Sequence, residues 1–359
     1  MSGMVEIESA VVHVTRVPVT IRPVSGMMPG ALALGVTQLF YRLAWLDFEK
    51  KSWRLGNILR QWGIRYYGTA WNGRVPILDD WSLLRQLGKS RQVQLAHFIW
   101  GEFGTLKTNQ PYHRRKIKVV VSVHCSPRRW ESVWLRPDGY ARADMVVLTS
   151  ECQRSLVERD VAPERVRTIL HGVVADYFLP PQIREPRGDR LRLFMLGNTE
   201  RDHEFAAQVA RQLPAEKFEW RIRTTSHEQS FYAGIASVTL LPRLTDEEML
   251  TEYQQADVLA MPMLDSAANN VLLESMACGT PVMVNRVGGV PEYVNPECNF
   301  VMSNERHVDE WVEKLLWLEQ NREVAERMRP ASRAWAERFD WKLIAEEYRA
   351  MYRELVERG

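Results

Sequence analysis

Residues 261–294 read MPMLDSAANNVLLESMACGTPVMVNRVGGVPEYV, and the changes of character along them decide the fold. The apolar run 257–261 gives way at Asp265 and Ser266 to a polar loop through Asn270. A helix follows over 271–277, Gly279 stops it, 281–285 is apolar again, and Gly288 and Gly289 open a second loop. Strand, helix and strand in that order form the crossover unit of a parallel sheet. The first N–H groups of the helix have no partner inside it, so its N-terminus is a ready anion site. Glu274 falls on the first turns of that helix, where a carboxylate can accept two hydroxyls of a ribose without itself reacting. A glycine pair lets backbone approach a ligand closely.

The same alternation continues outward. Residues 191–196 read as a buried strand, 204–213 as a helix, 219–224 as a strand and 246–255 as a helix. They begin after a polar, proline-rich stretch, 180–190, whose composition marks a linker. Before it, 119–123 is a continuous β-branched run of the kind buried on both faces of a parallel sheet. Residues 145–149 and 167–170 repeat that character, and His171 and Gly172 break it. Further back, 11–24 is β-rich and 31–48 helical. The chain of 359 residues exceeds what one hydrophobic core usually serves. The expected fold class is therefore α/β, with two doubly wound Rossmann-like domains facing a cleft and ligands beyond the carboxyl ends of the strands. The tail from 307 reads as helical throughout, with Trp311, Leu315, Leu316 and Leu318 on one stripe and Phe339, Ile344, Tyr348 and Met351 on another. The expected divisions are 1–180, 181–338 and a terminal helix 339–359.

Composition removes several classes of function. Hydrophobic residues make up 45% and charged residues 26%, which is ordinary for a globular chain. A net charge of +2 gives no ground for a nucleic-acid partner. The four cysteines, Cys125, Cys152, Cys278 and Cys298, contain no C-x-x-C pair and fit a reduced, cytoplasmic compartment. The acidic start MSGMVEIES lacks the basic region of a signal peptide, and 27–46 is interrupted by Pro29, Gly30, Gln38 and Arg42, so no spanning helix is expected. Lys107, Arg114, Arg115, Lys116, Lys118, Arg128, Arg129 and Arg136 face only Glu131 in their stretch. That stretch is either a solvated rim or a patch facing phosphates or the anionic inner face of a membrane.

Within the opening segment, VLLESMACGTPVMVNRVGGVPEYV resembles nearly throughout the donor-binding stretch of the family 4 retaining glycosyltransferases, which have the two-domain GT-B fold. Glu274 matches the second acid of that family's pattern and Glu292 the acid after its glycine pair. Strict spacing puts Ser266 where the family has its first acid, while Asp265 lies one residue earlier, as in a branch with an Asp before an Asn-rich loop. The string Ile169-Leu170-His171-Gly172-Val173 with Tyr177, Phe178 and Pro180 resembles the motif closing the family's N-terminal domain, Val174 replacing its Asp. LFMLGNTERDHEF resembles the strand and loop that grip the donor diphosphate, with Asn198 in the place of an arginine and Arg201 near that of a lysine. His124 ends a strand as a family histidine does beside the donor sugar, and FDWKLIAEEYRAMY resembles a C-terminal helix that crosses back to the N-terminal domain.

The resemblance implies a metal-independent, retaining hexosyltransferase with no cofactor, using a nucleotide diphosphate sugar as donor and a glycan, lipid-linked or small-molecule acceptor. It assigns His124 and Asp265 to the transferred sugar, and Asn198, Arg201, Ser266, Asn269, Asn270, Val271 and Glu274 to the donor. The chain also lacks a D-x-D string for holding a metal on a diphosphate. Two alternatives stay open: a nucleotide-sugar epimerase or phosphorylase on the same architecture, and a silent sugar-nucleotide or glycan-binding protein. Trp45, Trp53, Trp62, Trp71, Trp81 and Trp100 could stack on acceptor sugars, but core packing is their commoner use.

Overall fold

The computed structural model describes residues 94–103, 113–114, 116–134, 138–183 and 188–357. The strand expected at 11–24, the helix at 31–48 and Trp45, Trp53, Trp62, Trp71 and Trp81 lie outside the described residues, as do Lys107, Arg115 and Arg136. The described chain up to Ile169, together with its end from Ala345, forms one compact unit, and Leu170–Ile344 forms the other.

In the first unit β1 (Leu95–Phe98), β2 (Lys118–Val123), β3 (Met145–Leu148) and β4 (Val166–Thr168) lie side by side in chain order, every neighbour parallel. Val119, Val120 and Val121 are fully buried, as expected of β-branched side chains covered on both faces of a sheet. Gln153 then pins the strand ends. Its amide nitrogen donates to the carbonyls of Val123 at 3.2 Å and Cys125 at 2.9 Å, while its oxygen accepts the Thr149 N–H at 2.9 Å.

In the second unit β5 (Leu191–Leu196), β6 (Phe218–Arg223), β7 (Val238–Leu240), β8 (Val258–Ala260), β9 (Val282–Asn285) and β10 (Phe300–Met302) form a parallel sheet in the order β10-β9-β8-β5-β6-β7. The chain starts at the centre with β5, builds outward to β7, and returns to the other side of β5 at β8, with Leu193 beside Val258. This is a doubly wound sheet, and the loops after β5 and β8 diverge at its switch point. The α-helices of eight or more described residues are α1 (His203–Gln212), α2 (Asp246–Gln255), α3 (Asn270–Ala277), α4 (Val308–Gln320), α5 (Arg322–Glu337) and α6 (Trp341–Glu357). Side chains fix their starts: the Asp202 carboxylate accepts from Phe205 N–H at α1, and Thr245 and Glu248 make a reciprocal cap at α2. Trp220, Phe194 and Tyr253 are fully buried within the sheet and helix layers.

The tail departs from the continuous helix expected of it. It breaks at Asn321, whose backbone leaves the helical region at φ −127° and ψ 48° while its amide donates to the Trp317 carbonyl at 2.7 Å. Asparagine offers the chain that local alternative to another helical turn. A second break precedes α6, where the Asp340 carboxylate accepts the Lys342 N–H at 2.7 Å. The last helix begins in the second unit and ends in the first, where the Tyr352 hydroxyl lies 2.5 Å from Nδ1 of His97. Among the described residues no helix is long and apolar enough to cross a membrane.

Candidate active site

One side chain ties the two loops at the switch point together. After β5 the chain turns at Gly197, with φ +99°, and a Cβ there would lie 3.1–3.2 Å from the Arg201 guanidinium. Arg201 folds back under that turn. Its Nε donates to the Leu196 carbonyl at 3.2 Å, Nη1 to the Thr199 carbonyl at 2.7 Å, and Nη2 to Oδ1 of Asn269 at 3.3 Å. Its backbone also bridges to Met263 in the loop after β8. Burial lowers the Arg201 pKa to about 10, against the nearby charges of Glu274 and Glu200, so the group remains a cation at neutral pH. The same turn is braced from the other side by His203. Its Nε2–H donates to the Gly197 carbonyl at 2.9 Å, and the Tyr232 hydroxyl accordingly donates to Nδ1 at 2.7 Å.

Asn269 joins this arrangement to the start of α3. Its Oδ1 accepts both the Arg201 guanidinium and the Val271 N–H, the latter at 3.0 Å, which makes it the helix cap. Asn270 is exposed at the first helical position and Val271 is partly exposed. Glu274 follows four residues after Asn270, on the same face of the helix. The Tyr253 hydroxyl donates to its Oε2 at 2.6 Å. Although Glu274 keeps some contact with solvent, the protein around it desolvates the carboxyl and pushes its pKa above the ordinary carboxylate value. The Tyr253 bond and the Arg201 charge oppose that shift.

Asp265 and Ser266 sit together in the turn after β8, 8% and 5% exposed. Oδ1 of Asp265 accepts the Ser266 N–H at 2.8 Å, and the Ser266 carbonyl accepts the Gly289 N–H at 2.7 Å. Gly288 has φ +47°, and a Cβ on it would lie 2.1 Å from the Ser266 carbonyl oxygen and 2.4 Å from Oδ1 of Asp265. The glycine pair was expected to admit a ligand. At Gly288 the chain's own loop after β8 comes so close that no other residue would be permitted there.

In the first unit His124 follows β2, and its ring stacks on Trp100 with centroids 4.0 Å apart and planes 24° from parallel. Glu102, fully buried, reaches the same place. Its Oε1 accepts the backbone N–H groups of His124 and Cys125, the latter at 2.7 Å, and its Oε2 lies 3.8 Å from Nδ1 of His124.

The structure thus joins Arg201 to Asn269 directly and places Glu274 within their electrostatic reach. Asn198 is exposed beside them, and its carbonyl accepts the Arg201 N–H at 3.4 Å. Tyr253 and Glu102 were not among the sequence candidates. Neither belongs to a motif, and their importance arises from partners 21 and 22 residues away.

Comparison with known proteins agrees with this geometry. Residues 181–335 match the family Glycosyl transferases group 1. A D-inositol 3-phosphate glycosyltransferase of Saccharomonospora viridis is 32% identical over 124 residues, 34% of this chain and 29% of that protein. An uncharacterized glycosyltransferase of Methanocaldococcus jannaschii is 26% identical over 122 residues, 34% of this chain and 35% of that protein. The chain therefore aligns with less than a third of the length of the first of these curated relatives. Among solved structures, a sucrose-phosphate synthase of Thermosynechococcus elongatus superposes with a TM-score of 0.63 at 17% identity, covering 77% of this chain and 78% of that one. Anabaena HepE, solved in complex with UDP and glucose, gives a TM-score of 0.62 at 13% identity, covering 76% and 81%. Residues 181–335 are thus similar to the glycosyl transferases group 1, and the chain shares the GT-B fold of these solved structures, with two Rossmann-like units.

Proposed function

We propose that this protein is a retaining glycosyltransferase that moves a hexose from a nucleotide diphosphate sugar to a glycan, lipid-linked or small-molecule acceptor. The observation carrying this reading is the position of Glu274. It is a carboxylate held by Tyr253 on the first turns of α3, beside a cation that links the two loops of the switch point. In open α/β sheets that point is where ligands bind. Glu274 accepts two ribose hydroxyls, while Arg201 and the N-terminus of α3 hold the diphosphate. Asp265 and His124 attend the transferred sugar. The bond from the anomeric carbon to the diphosphate breaks, the acceptor oxygen bonds to that carbon on the same face, and the acceptor's proton leaves with the diphosphate. The chain's own cation and helix dipole, rather than a metal, stabilise the departing charge. Anabaena HepE was solved in complex with UDP and glucose, ligands of the same chemical kind.

The test is incubation with a panel of nucleotide sugars. Release of nucleoside diphosphate with transfer or hydrolysis, and an anomeric configuration unchanged in the product by NMR, is the expected result. An isomerised sugar would make the protein an epimerase, and tight binding without turnover would make it a silent binder.

A further inference from the structure

A carboxylate that is fully buried, as Glu102 is, requires strong partners, because burial strips it of water. Oε1 has them in the backbone N–H groups of His124 and Cys125. Oε2 has no hydrogen-bond partner among the described residues and is aimed at the imidazole, 3.8 Å from Nδ1 of His124. Trp100, two residues before Glu102, covers the face of the same ring. The segment is pressed tightly onto β2: a Cβ on Gly101 would lie 2.6 Å from Cγ1 of Val121 and 2.9 Å from the Ser122 carbonyl oxygen. One short segment after β1 therefore fixes the backbone, the plane and one edge of the ring at the end of β2.

We propose that Glu102 is a positioning residue for His124, facing Nδ1 with an acceptor so that the proton of the neutral imidazole stays on Nδ1 and Nε2 carries the lone pair. This rests on the reading of His124 as a group beside the transferred sugar. An imidazole presents either a donor or an acceptor to a ligand, and the group facing its other nitrogen selects which. Trp100 selects the plane in which that edge is presented, and Glu102 selects its chemistry.

The variant that separates this from a purely structural role is Glu102→Gln. A glutamine whose oxygen keeps both backbone N–H bonds must place its NH2 where Oε2 was, so the fold is retained while a donor now faces Nδ1. On the full-length protein with its best donor, Glu102→Gln is expected to lower kcat by about 30-fold or more, leaving KM for the donor within about twofold. His124→Ala is expected to lose a similar factor, and the double variant to be no slower than His124→Ala alone, because the effect of Glu102 passes through that ring. A wild-type rate for Glu102→Gln, or losses that multiply in the double variant, would overturn the proposal while leaving the transferase reading intact. A wild-type protein that turns over no donor in the panel would overturn that reading, and this inference with it.

Discussion

The Tyr253 hydroxyl donates to Glu274 across 2.6 Å, from a side chain that is itself fully buried. A residue in the core of the second unit thus orients the carboxylate proposed to bind ribose. Hydrogen bonds to charged groups are worth about 1.5–3 kcal/mol. Tyr253→Phe is expected to raise the Kd for nucleoside diphosphate about tenfold, measured by calorimetry, with little change in thermal stability beyond the lost bond. An unchanged Kd would mean that Glu274 needs no positioning.

The pH dependence of Glu274 has a definite sign. Its folded-state pKa is raised above the ordinary value, chiefly by burial. An acid shifted that way favours the folded state when protonated, so its contribution is fully present below the unfolded pKa and is lost as pH rises through the folded one. Glu274→Gln is therefore expected to raise Tm at neutral pH, and the gain to vanish in acid, while nucleotide binding collapses. Scanning calorimetry at several pH values checks this, and a variant less stable than wild type at neutral pH would contradict it. In the wild type, nucleotide affinity should fall on acidification, starting above the usual carboxylate range, as the acceptor is protonated.

Gly288 should not tolerate a methyl group. Besides its φ of +47°, the added carbon would meet backbone 2.1 Å away, so the Asp265 turn would have to move. Gly288→Ala is expected to cost about 2 kcal/mol or more, a fall in Tm of roughly 4–8 °C, and to lower turnover. A Tm within a degree of wild type would show the turn to be far more yielding than its geometry implies.

Asp265 and Ser266 compete for the role of first acid, and they share one buried turn. A carboxylate beside the reacting sugar acts mainly as positive charge develops at the anomeric carbon, and an interaction made in the transition state appears in the rate. Asp265→Asn should lower kcat by about 100-fold with little effect on nucleotide affinity, and Ser266→Ala should matter little. Steady-state kinetics showing the reverse pattern would restore strict spacing.

Much of this architecture is legible in the chain because its signals are local. The β-branched runs and Gly279 each mark an element within a few residues, and the strands at 191–196 and 282–285 lie where the pattern puts them. The strands β7 and β10 escape notice because, unlike the equally short β8, neither belongs to a longer apolar run that ends in a motif. The tail misleads because its apolar stripes are helical on both sides of Asn321 and Asp340, and the local bonding of these two residues interrupts them. The candidate site divides in the same way. Glu274 and Arg201 stand in motifs, whereas Tyr253 and Glu102 act through tertiary contacts that no spacing rule encodes. At Gly288 the neighbouring loop backbone is a further reason for glycine that no local pattern encodes.

The loops after β5 and β8, with α3, are expected to hold a nucleoside diphosphate. Titration calorimetry of the wild-type protein with UDP, GDP and ADP, repeated with Glu274→Ala, tests it most directly. The expected result is saturable binding of at least one of them, weakened in the variant by on the order of 3 kcal/mol, which is roughly 100-fold. No binding of any of the three, or binding that Glu274→Ala leaves unchanged, would contradict it.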